Sequence, residues 1–234
     1  MRRVLAILAV MTGCVTACAP VPTSPAQAFT WSGFTWCPAY FGACASVVHS
    51  RQYTVGFSPA DDIISGGKLA LALSGDMSGA VNTQGYETFY AGTRVSATVT
   101  LPCEAGQVEN WPAVWLTGPE GTWPRTGEID IMEGLHGAAA WHYQYLNAAG
   151  AHAQIGGTVP GDWCGTHTYA ADWRVGQITW FYDGRQAGRV TAAQTGVQLA
   201  AGPMYLVIDY GQGSWGGPDA DARMLVSSVS VTGG

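Results

Sequence analysis

The stretch Gly127–Gly134, with the sequence GEIDIMEG, constrains the fold most, because acidic and apolar residues alternate through its first half. This period is typical of a half-buried strand with one charged face. Strict alternation would place Met132 beside the acidic side chains and Glu133 in the core. Because an ionised glutamate buried without a partner is too costly, the spacing predicts a β-bulge that takes up Met132 and returns Glu133 to the acidic face. The stretch therefore predicts one groove lined by three carboxylates: Glu128, Asp130 and Glu133.

A row of carboxylates on one face suits acid–base chemistry. Like charges at successive positions repel each other and raise the pKa of at least one member, as a general acid near neutral pH requires. A second carboxylate can stay ionised as a nucleophile, and two carboxyl groups about 5–5.5 Å apart are the arrangement of a retaining glycosidase. Two other interpretations of such a cluster are a solvated acidic face and a calcium site.

Runs with the length and pattern of strands recur from residue 68 onward. In Arg94–Leu101, four apolar residues share one face and polar residues share the other, and Pro102 ends the run. Gln177–Tyr182 and Arg185–Val190 flank Asp183-Gly184, a dipeptide typical of a tight hairpin. The other predicted strands are Lys68–Ser74, Trp141–Asn147, Pro203–Tyr210 and Arg223–Val231. Because no segment has a sustained helical period, these runs predict an all-β fold, an antiparallel sandwich of two sheets.

Composition favours many short strands and disfavours nucleic acid as a partner. Charged residues make up only 11% of the 234 residues, and the 32 glycines favour strands joined by turns over long surface helices. The formal net charge of -6 argues against phosphate binding, which needs a basic face. A neutral polysaccharide is an easier partner for this chain than a polyanion.

The first residues have the pattern of a signal peptide. Arg2-Arg3 precede an apolar run from Val4 to about Ala17, which is too short for a permanent membrane helix. Two processing sites compete. Val15–Cys18 resembles a bacterial lipoprotein box, which would leave Cys18 lipidated, and Ala26-Gln27-Ala28 suits ordinary cleavage.

The lipoprotein box is favoured because it lies at the end of the apolar run, whereas the second site lies beyond a proline-rich spacer. Residues 1–28 are therefore predicted to be leader and spacer, and residues 29–234 a single domain. The protein is expected to be secreted, as a monomer, and to contact a membrane only through a lipid anchor at Cys18.

Export permits disulfides. Beyond the leader the chain keeps four cysteines, which allow three pairings: Cys37, Cys44, Cys103 and Cys164. Proximity favours a bond between Cys37 and Cys44, and therefore one between Cys103 and Cys164. A metal site is the alternative, but no CxxC spacing supports it.

The acidic stretch and its surroundings resemble family 16 of the glycoside hydrolases. The resemblance rests on Trp111–Leu116, then Trp123-Pro124, then Gly127–Glu133, which is similar to that family's active-site signature with the extra bulge residue. It continues in His167–Trp173, Trp180–Gly184 and Pro203–Leu206, although Asp172 stands where the family usually has Glu, and the loop around Gly211 also differs from the family's familiar sequence. The resemblance implies a concanavalin-like β-jelly roll. It also implies three roles: Glu128 as nucleophile, Asp130 as the residue that hydrogen-bonds and tunes it, and Glu133 as acid/base.

A polysaccharide groove also needs flat apolar platforms, because the C–H faces of sugar rings pack on aromatic rings. The candidate substrate-binding tryptophans are Trp111, Trp115, Trp123 and Trp215. His142, on the strand after the acidic stretch, could orient the acid/base or contact the sugar on the leaving side, or it could be structural. Trp173 and Trp180 are predicted to belong to the core, and His167 to be structural.

These features predict a retaining endo-glycosidase that hydrolyses a β-linked polysaccharide. The bulge-containing signature resembles the β-1,3-glucanases of the family more than its lichenases, although agar- and carrageenan-degrading members share it. The alternatives are a lectin-like binding sandwich, a transglycosylase or galactanase of the same family, and a structural envelope protein. No cofactor is expected; structural calcium could bind at Asp61-Asp62 or at Asp219 and Asp221.

Overall fold

Nineteen strands, one short α-helix and one 3-10 turn form the fold in a computed structural model, which describes residues 27–29, 48–49, 56–75, 77–119 and 121–233. The first ten strands are β1 Gln27–Phe29, β2 Val48–His49, β3 Gly56–Phe57, β4 Asp62–Ser65, β5 Lys68–Ser74, β6 Met77–Ser78, β7 Ala80–Asn82, β8 Arg94–Leu101, β9 Cys103–Glu104 and β10 Gln107–Val108. The others are β11 Trp111–Thr117, β12 Glu128–Leu135, β13 Ala138–Leu146, β14 His152–Thr158, β15 Gly165–Arg174, β16 Gln177–Tyr182, β17 Arg185–Thr191, β18 Tyr205–Gly211 and β19 Arg223–Thr232. The helix α1 is Ala192–Thr195, and the 3-10 turn is Pro59–Asp61.

Two large sheets and one two-stranded ribbon contain all these strands. The six-stranded sheet has the order β14-β13-β12-β11-β18-β7. The eleven-stranded sheet follows the order β17-β16-β15-β8-β19-β5-β6-β3-β2, with β1 added to β19 and β4 to β5. The ribbon is β9-β10, and among the described pairs only β3 and β6 run parallel. The predicted antiparallel two-sheet sandwich is confirmed.

The predicted strands agree closely with the observed ones. Lys68–Ser74 and Arg94–Leu101 are β5 and β8 with their exact bounds. The hairpin is also confirmed: β16 and β17 pair across Asp183-Gly184, whose positive φ angles of 47° and 75° are those the tight turn requires. The strand predicted from Trp141 starts earlier, at Ala138, because three alanines carry no alternating pattern.

The core lies between the two large sheets. The four apolar residues of β8 that were predicted to share a face are all buried there. Trp173 and Trp180 are also fully buried, which confirms their prediction as core residues. Between the sheets, Ile129 from β12 packs in the same cluster, so the central strand of the six-stranded sheet has one apolar face inside and one face outside.

The predicted leader lies largely outside the described residues, as do Cys18, Cys37 and Cys44. Strand β1 begins at Gln27, two residues before the predicted domain start, and pairs with the last strand, β19. Within the described part of the chain, no helix has the length and apolar character needed to cross a membrane.

The predicted bond between Cys103 and Cys164 is present, with Cα atoms 5.6 Å apart. It closes the end of the β8–β15 pair, where Leu101 lies opposite Gly165. The two cysteines are 61 residues apart, so the bond restricts a long loop of the unfolded chain.

Replacing both Cys103 and Cys164 with serine should lower the free energy of unfolding by about 2–4 kcal/mol, because the unfolded chain regains that loop's entropy. Urea unfolding measures this, and the double variant avoids both a stray thiol and any reductant effect on other cysteines. An unchanged midpoint would show that the bond does not stabilise the fold.

Candidate active site

The bulge predicted in β12 is present and turns its second glutamate outward. Asp130 lies opposite His142 of β13 and Glu133 opposite Ala140, so two residues of β12 face one residue of β13. Those two, Ile131 and Met132, are both buried in the core. The sequence prediction assigned the bulge to Met132, and the pairing with β11 shows Ile131 as the extra residue.

A cleft of about 260 Å³ opens over the outer face of the six-stranded sheet. Its lining contains all three predicted carboxylates, all four predicted tryptophans and further polar residues. The lining residues are Trp111, Ala113, Trp115, Thr117, Trp123, Glu128, Asp130, Glu133, Gln144, His152, Gln154, Asp209 and Trp215. Within the part of the chain that the structure describes, the lining has four carboxylates and no lysine or arginine.

Glu133 accepts a hydrogen bond from an indole and lies beside an imidazole. The indole Nε1 of Trp111 donates to Oε1 of Glu133 over 3.0 Å. On the other side, Nδ1 of His142 lies 3.4 Å from Oε2 of Glu133. Gly156 makes room for this imidazole, because a Cβ at that position would lie 1.9 Å from Cδ2 of His142. His142 therefore lies beside Glu133, as one of its expected roles requires, but it is not among the residues that line the cleft, so its predicted contact with the substrate stays a prediction.

Glu128 lies at the start of β12, where its neighbours disfavour its charged form. Burial raises the pKa of Glu128 to about 8, with a further contribution from the charge of Glu133. A hydrogen bond from the Trp123 side chain acts in the opposite direction and stabilises the carboxylate. This carboxyl therefore binds a proton more readily than a solvated glutamate does.

Asp130 lies between the two glutamates and is 5% exposed. Burial raises its pKa, and the charges of Glu128 and Glu133 raise it further. Its Oδ2 receives a long hydrogen bond of 3.5 Å from Nε2 of Gln144. Its backbone carbonyl accepts a hydrogen bond of 2.8 Å from the indole of Trp180, a core residue of the opposite sheet. This bond holds the bulge against the eleven-stranded sheet.

Asp209 is a fourth carboxylate that sequence reasoning missed. It lies on β18 opposite Ala113, and its Oδ1 accepts a hydrogen bond of 2.7 Å from the indole of Trp115. Burial raises the pKa of Asp209 to about 7, and the charge of Glu133 adds to this effect. The signal was present in the sequence, because Asp209 is the only acidic residue in the otherwise apolar run Tyr205–Tyr210.

The four predicted tryptophans divide into two pairs. Trp111 and Trp115 are buried in the wall of the cleft. Their indole N–H groups donate hydrogen bonds to Glu133 and Asp209, respectively. Trp123 and Trp215 are 47% and 52% exposed and offer open ring surface. Trp215 packs edge-on against Trp111, with ring centroids 5.5 Å apart. Its loop is tied to the sheet, since the backbone carbonyl of Trp215 accepts a hydrogen bond from His136.

Besides Asp209, four polar residues of the cleft were not predicted as site residues from the sequence: Thr117, Gln144, His152 and Gln154. Gln144 lies on β13 and His152 begins β14, and a hydrogen bond of 2.8 Å joins Oε1 of Gln144 to Nε2 of His152. The lone amide in the run Ala138–Leu146 was a weak signal, and nothing in the sequence distinguished His152.

His167, predicted to be structural, lies 2.8 Å from Asp183 at the hairpin and away from the cleft lining.

One group of side chains in the described part of the chain has metal-ligand spacing. Ligand atoms of Asp130, Glu133 and His142 lie within 4.8 Å of one another. Asp130 and Glu133 are two of the three carboxylates to which the resemblance gives a role in the reaction, so a cation bound there would compete with that chemistry.

Comparisons with known proteins agree with this geometry. Two curated relatives are each 30% identical: glucan endo-1,3-beta-glucosidase A1 of Niallia circulans over 131 residues, and endo-1,3-1,4-beta-glycanase EglC of Rhizobium meliloti (strain 1021) over 125 residues. The alignments cover 50% and 52% of this chain but only 18% and 25% of those proteins, so the chain spans a minor part of their length.

A solved structure, the endo-beta-1,3-glucanase from Pyrococcus furiosus, superposes with a TM-score of 0.63 at 22% identity. The superposition covers 88% of this chain and 97% of that one, which shows the shared jelly-roll fold. The family model for glycosyl hydrolases family 16 matches residues 49–225, which include every strand of the cleft. The chain therefore belongs to glycosyl hydrolase family 16.

Proposed function

We propose that the protein is a retaining endo-glycosidase that hydrolyses a neutral β-linked glucan, most readily a β-1,3-glucan. The observation that carries the proposal is the bulge in β12, which brings Glu133 into the same cleft as Glu128 and Asp130. A half-buried row of acids between tryptophans suits chemistry on a sugar that is bound by its ring faces.

In the first step, the carboxylate of Glu128 attacks the anomeric carbon and forms a glycosyl ester. The bond from that carbon to the leaving oxygen breaks, and Glu133 gives its proton to this oxygen. Glu128 must be ionised for the attack. The Trp123 indole stabilises the ionised nucleophile, and Gln144 donates a hydrogen bond to the neighbouring Asp130.

In the second step, water attacks the same carbon from the face that the leaving group vacated. Glu133, now ionised, accepts a proton from this water, and the ester bond to Glu128 breaks. The two displacements together retain the β configuration. Trp111 keeps Glu133 in place through both steps with its hydrogen bond of 3.0 Å.

The charge of the cleft supports a neutral substrate. Among the described residues, its lining has four carboxylates and no lysine or arginine that could pair with a sulfate or carboxylate of the polymer. A sulfated galactan would bring like charges together in a partly desolvated cleft. The names of the relatives, an endo-1,3-beta-glucosidase and an endo-1,3-1,4-beta-glycanase, are consistent with a glucan.

Incubation with laminarin, mixed-linkage glucan, agarose and carrageenan should release new reducing ends fastest from laminarin and least from carrageenan. Short oligosaccharides should appear early, as endo cleavage requires. Proton NMR of the first product should show the β anomer before mutarotation. Binding to these glycans without any new reducing ends would instead support a lectin-like role, and a first product with the α anomer would contradict the double displacement.

The proposal includes export, with a lipid anchor at Cys18. The arginine pair and apolar run at the start of the sequence support it, and so does the disulfide, since such bonds persist in oxidising compartments. Pairing of Gln27 and Ala28 with β19 favours processing at Cys18, because cleavage after Ala28 would remove both residues. Labelling of the cells with a fatty-acid analogue tests the anchor.

A further inference from the structure

His152 contacts two residues that each donate to a carboxylate of the cleft. It begins β14, an edge strand of the six-stranded sheet, and is exposed at the rim. Its Nε2 lies 2.8 Å from Oε1 of Gln144, and its ring packs against Trp123 with centroids 4.8 Å apart. Gln144 donates to Asp130, and Trp123 donates to Glu128.

The amide of Gln144 has one donor end and one acceptor end, so its two neighbours fix its orientation together. With Oε1 toward His152, the imidazole must carry a proton on Nε2 and donate it. The amide nitrogen then faces Asp130 and can donate to an ionised carboxylate. Turned over, the amide oxygen would face Asp130 and repel it unless Asp130 were protonated. The N–H of His152 therefore favours the orientation that stabilises charge in the cleft.

The contact with Trp123 acts on the second carboxylate. Trp123 is nearly half exposed and lines the cleft. The tilted packing of His152 on this ring, with planes 52° apart, limits its rotation. The indole N–H of Trp123 donates a hydrogen bond to Glu128. Because the ring is held in one orientation, this donor stays directed at the nucleophile.

We propose that His152 is a positioning residue of the reaction: it holds the Gln144 amide and the Trp123 indole in the orientations in which they donate to Asp130 and Glu128. The proposal rests on the proposed glycosidase function. His152 itself transfers no proton to the substrate, and its effect reaches the reacting atoms only through its two neighbours.

His152→Phe keeps a ring against Trp123 but removes the donor to Gln144. It should lower kcat about tenfold, the effect of one hydrogen bond to a charged group, and leave KM within about twofold. His152→Gln restores a donor at the position of Nε2 but lacks the ring, so it should recover the part of kcat that depends on Gln144, and its remaining loss measures the contact with Trp123. In a double-mutant cycle, His152→Phe should have little further effect once Gln144→Met has removed the amide.

Thr158→Val on the same strand lies outside the cleft lining and is the matched control, with an expected kcat equal to that of the unmodified protein. An unchanged kcat in His152→Phe, or effects of His152→Phe and Gln144→Met that multiply, would overturn the proposal.

A second measurement does not depend on hydrolysis. The side-chain amide signals of Gln144 in a proton–nitrogen NMR spectrum can be identified by their loss in Gln144→Met. They should shift in His152→Phe and stay in place in His152→Gln. If the Gln144 amide signals do not change in His152→Phe, the proposal is rejected, whether or not any glycan is hydrolysed. If the signals change but no glycan is hydrolysed, only the glycosidase function is rejected.

Discussion

Glu128→Gln and Glu133→Gln should each lower kcat on the cleaved glucan by about 10²–10⁴-fold or more, while the fold is retained. Glutamine keeps the size of each side chain and the acceptor for its indole donor but removes nucleophilic and acid–base capacity. Removing a charge from a cleft with four carboxylates relieves repulsion, so neither variant should be less stable. Initial rates of reducing-end release measure the loss, and circular dichroism checks the fold.

Azide separates the two roles. In Glu128→Ala, azide can replace the missing nucleophile and attack the substrate once, so the product is an α-glycosyl azide. In Glu133→Ala, an activated glycoside still forms the ester with Glu128, and azide attacks this ester without needing a general base. That second displacement gives a β-glycosyl azide. The anomeric proton coupling in the NMR spectrum distinguishes the products.

Glu104→Gln is the matched control, because Glu104 is an exposed glutamate on β9 outside the cleft lining. Its kcat should be unchanged. If Glu128→Gln or Glu133→Gln kept near-normal turnover on the best substrate, the assignment of that residue would be wrong. Azide products of the opposite configuration would show that Glu133 is the nucleophile and Glu128 the acid/base.

Asp209→Asn should stabilise the protein, and the gain should depend on pH. The pKa of Asp209 is raised from 3.8 to about 7 in the folded protein, so between these values the folded state holds a proton that the unfolded state has released. Stability attributable to this group is therefore highest below pH 4, falls as the pH rises toward 7, and stays constant above. Asparagine never ionises and avoids this loss.

The gain in the free energy of unfolding should be near zero at pH 4 and reach about 2–4 kcal/mol at pH 8. Asparagine can still accept the hydrogen bond from Trp115 through its Oδ1, so the wall of the cleft is preserved. Urea unfolding at five pH values from 4 to 8 measures the difference. Asp219→Asn, at an exposed aspartate outside the cleft lining, is the matched control for the substitution. A gain independent of pH, or a loss of stability at pH 8, would contradict the prediction.

Local patterns predicted the fold and the acids well because each depends on neighbours in sequence. The period of two in Arg94–Leu101 and the turn residues Asp183-Gly184 determine strand and hairpin without long-range information. The bulge followed from the cost of burying Glu133. The exact position of the bulge could not be predicted from this cost, because Ile131 and Met132 are both apolar and either can be the extra residue.

The rest of the site depends on which strands become neighbours. Asp209 comes from β18, far along the chain, and reaches the cleft only because β18 pairs with β11. His152 reaches Gln144 only through the pairing of β14 with β13. The roles of the tryptophans were also not readable from the sequence, because an indole that lines a cleft can present either its ring face or its N–H group.

The hydrogen bond from Trp180 to the carbonyl of Asp130 connects interior packing with the reaction. The bulge that aligns the acids is secured by a side chain that no substrate can reach. A substitution of Trp180 that packs well in the core but lacks the indole N–H would remove this hydrogen bond. The backbone at the bulge could then relax, even though the core stays filled. A buried residue that never contacts solvent or substrate can therefore affect activity as much as a residue that lines the cleft.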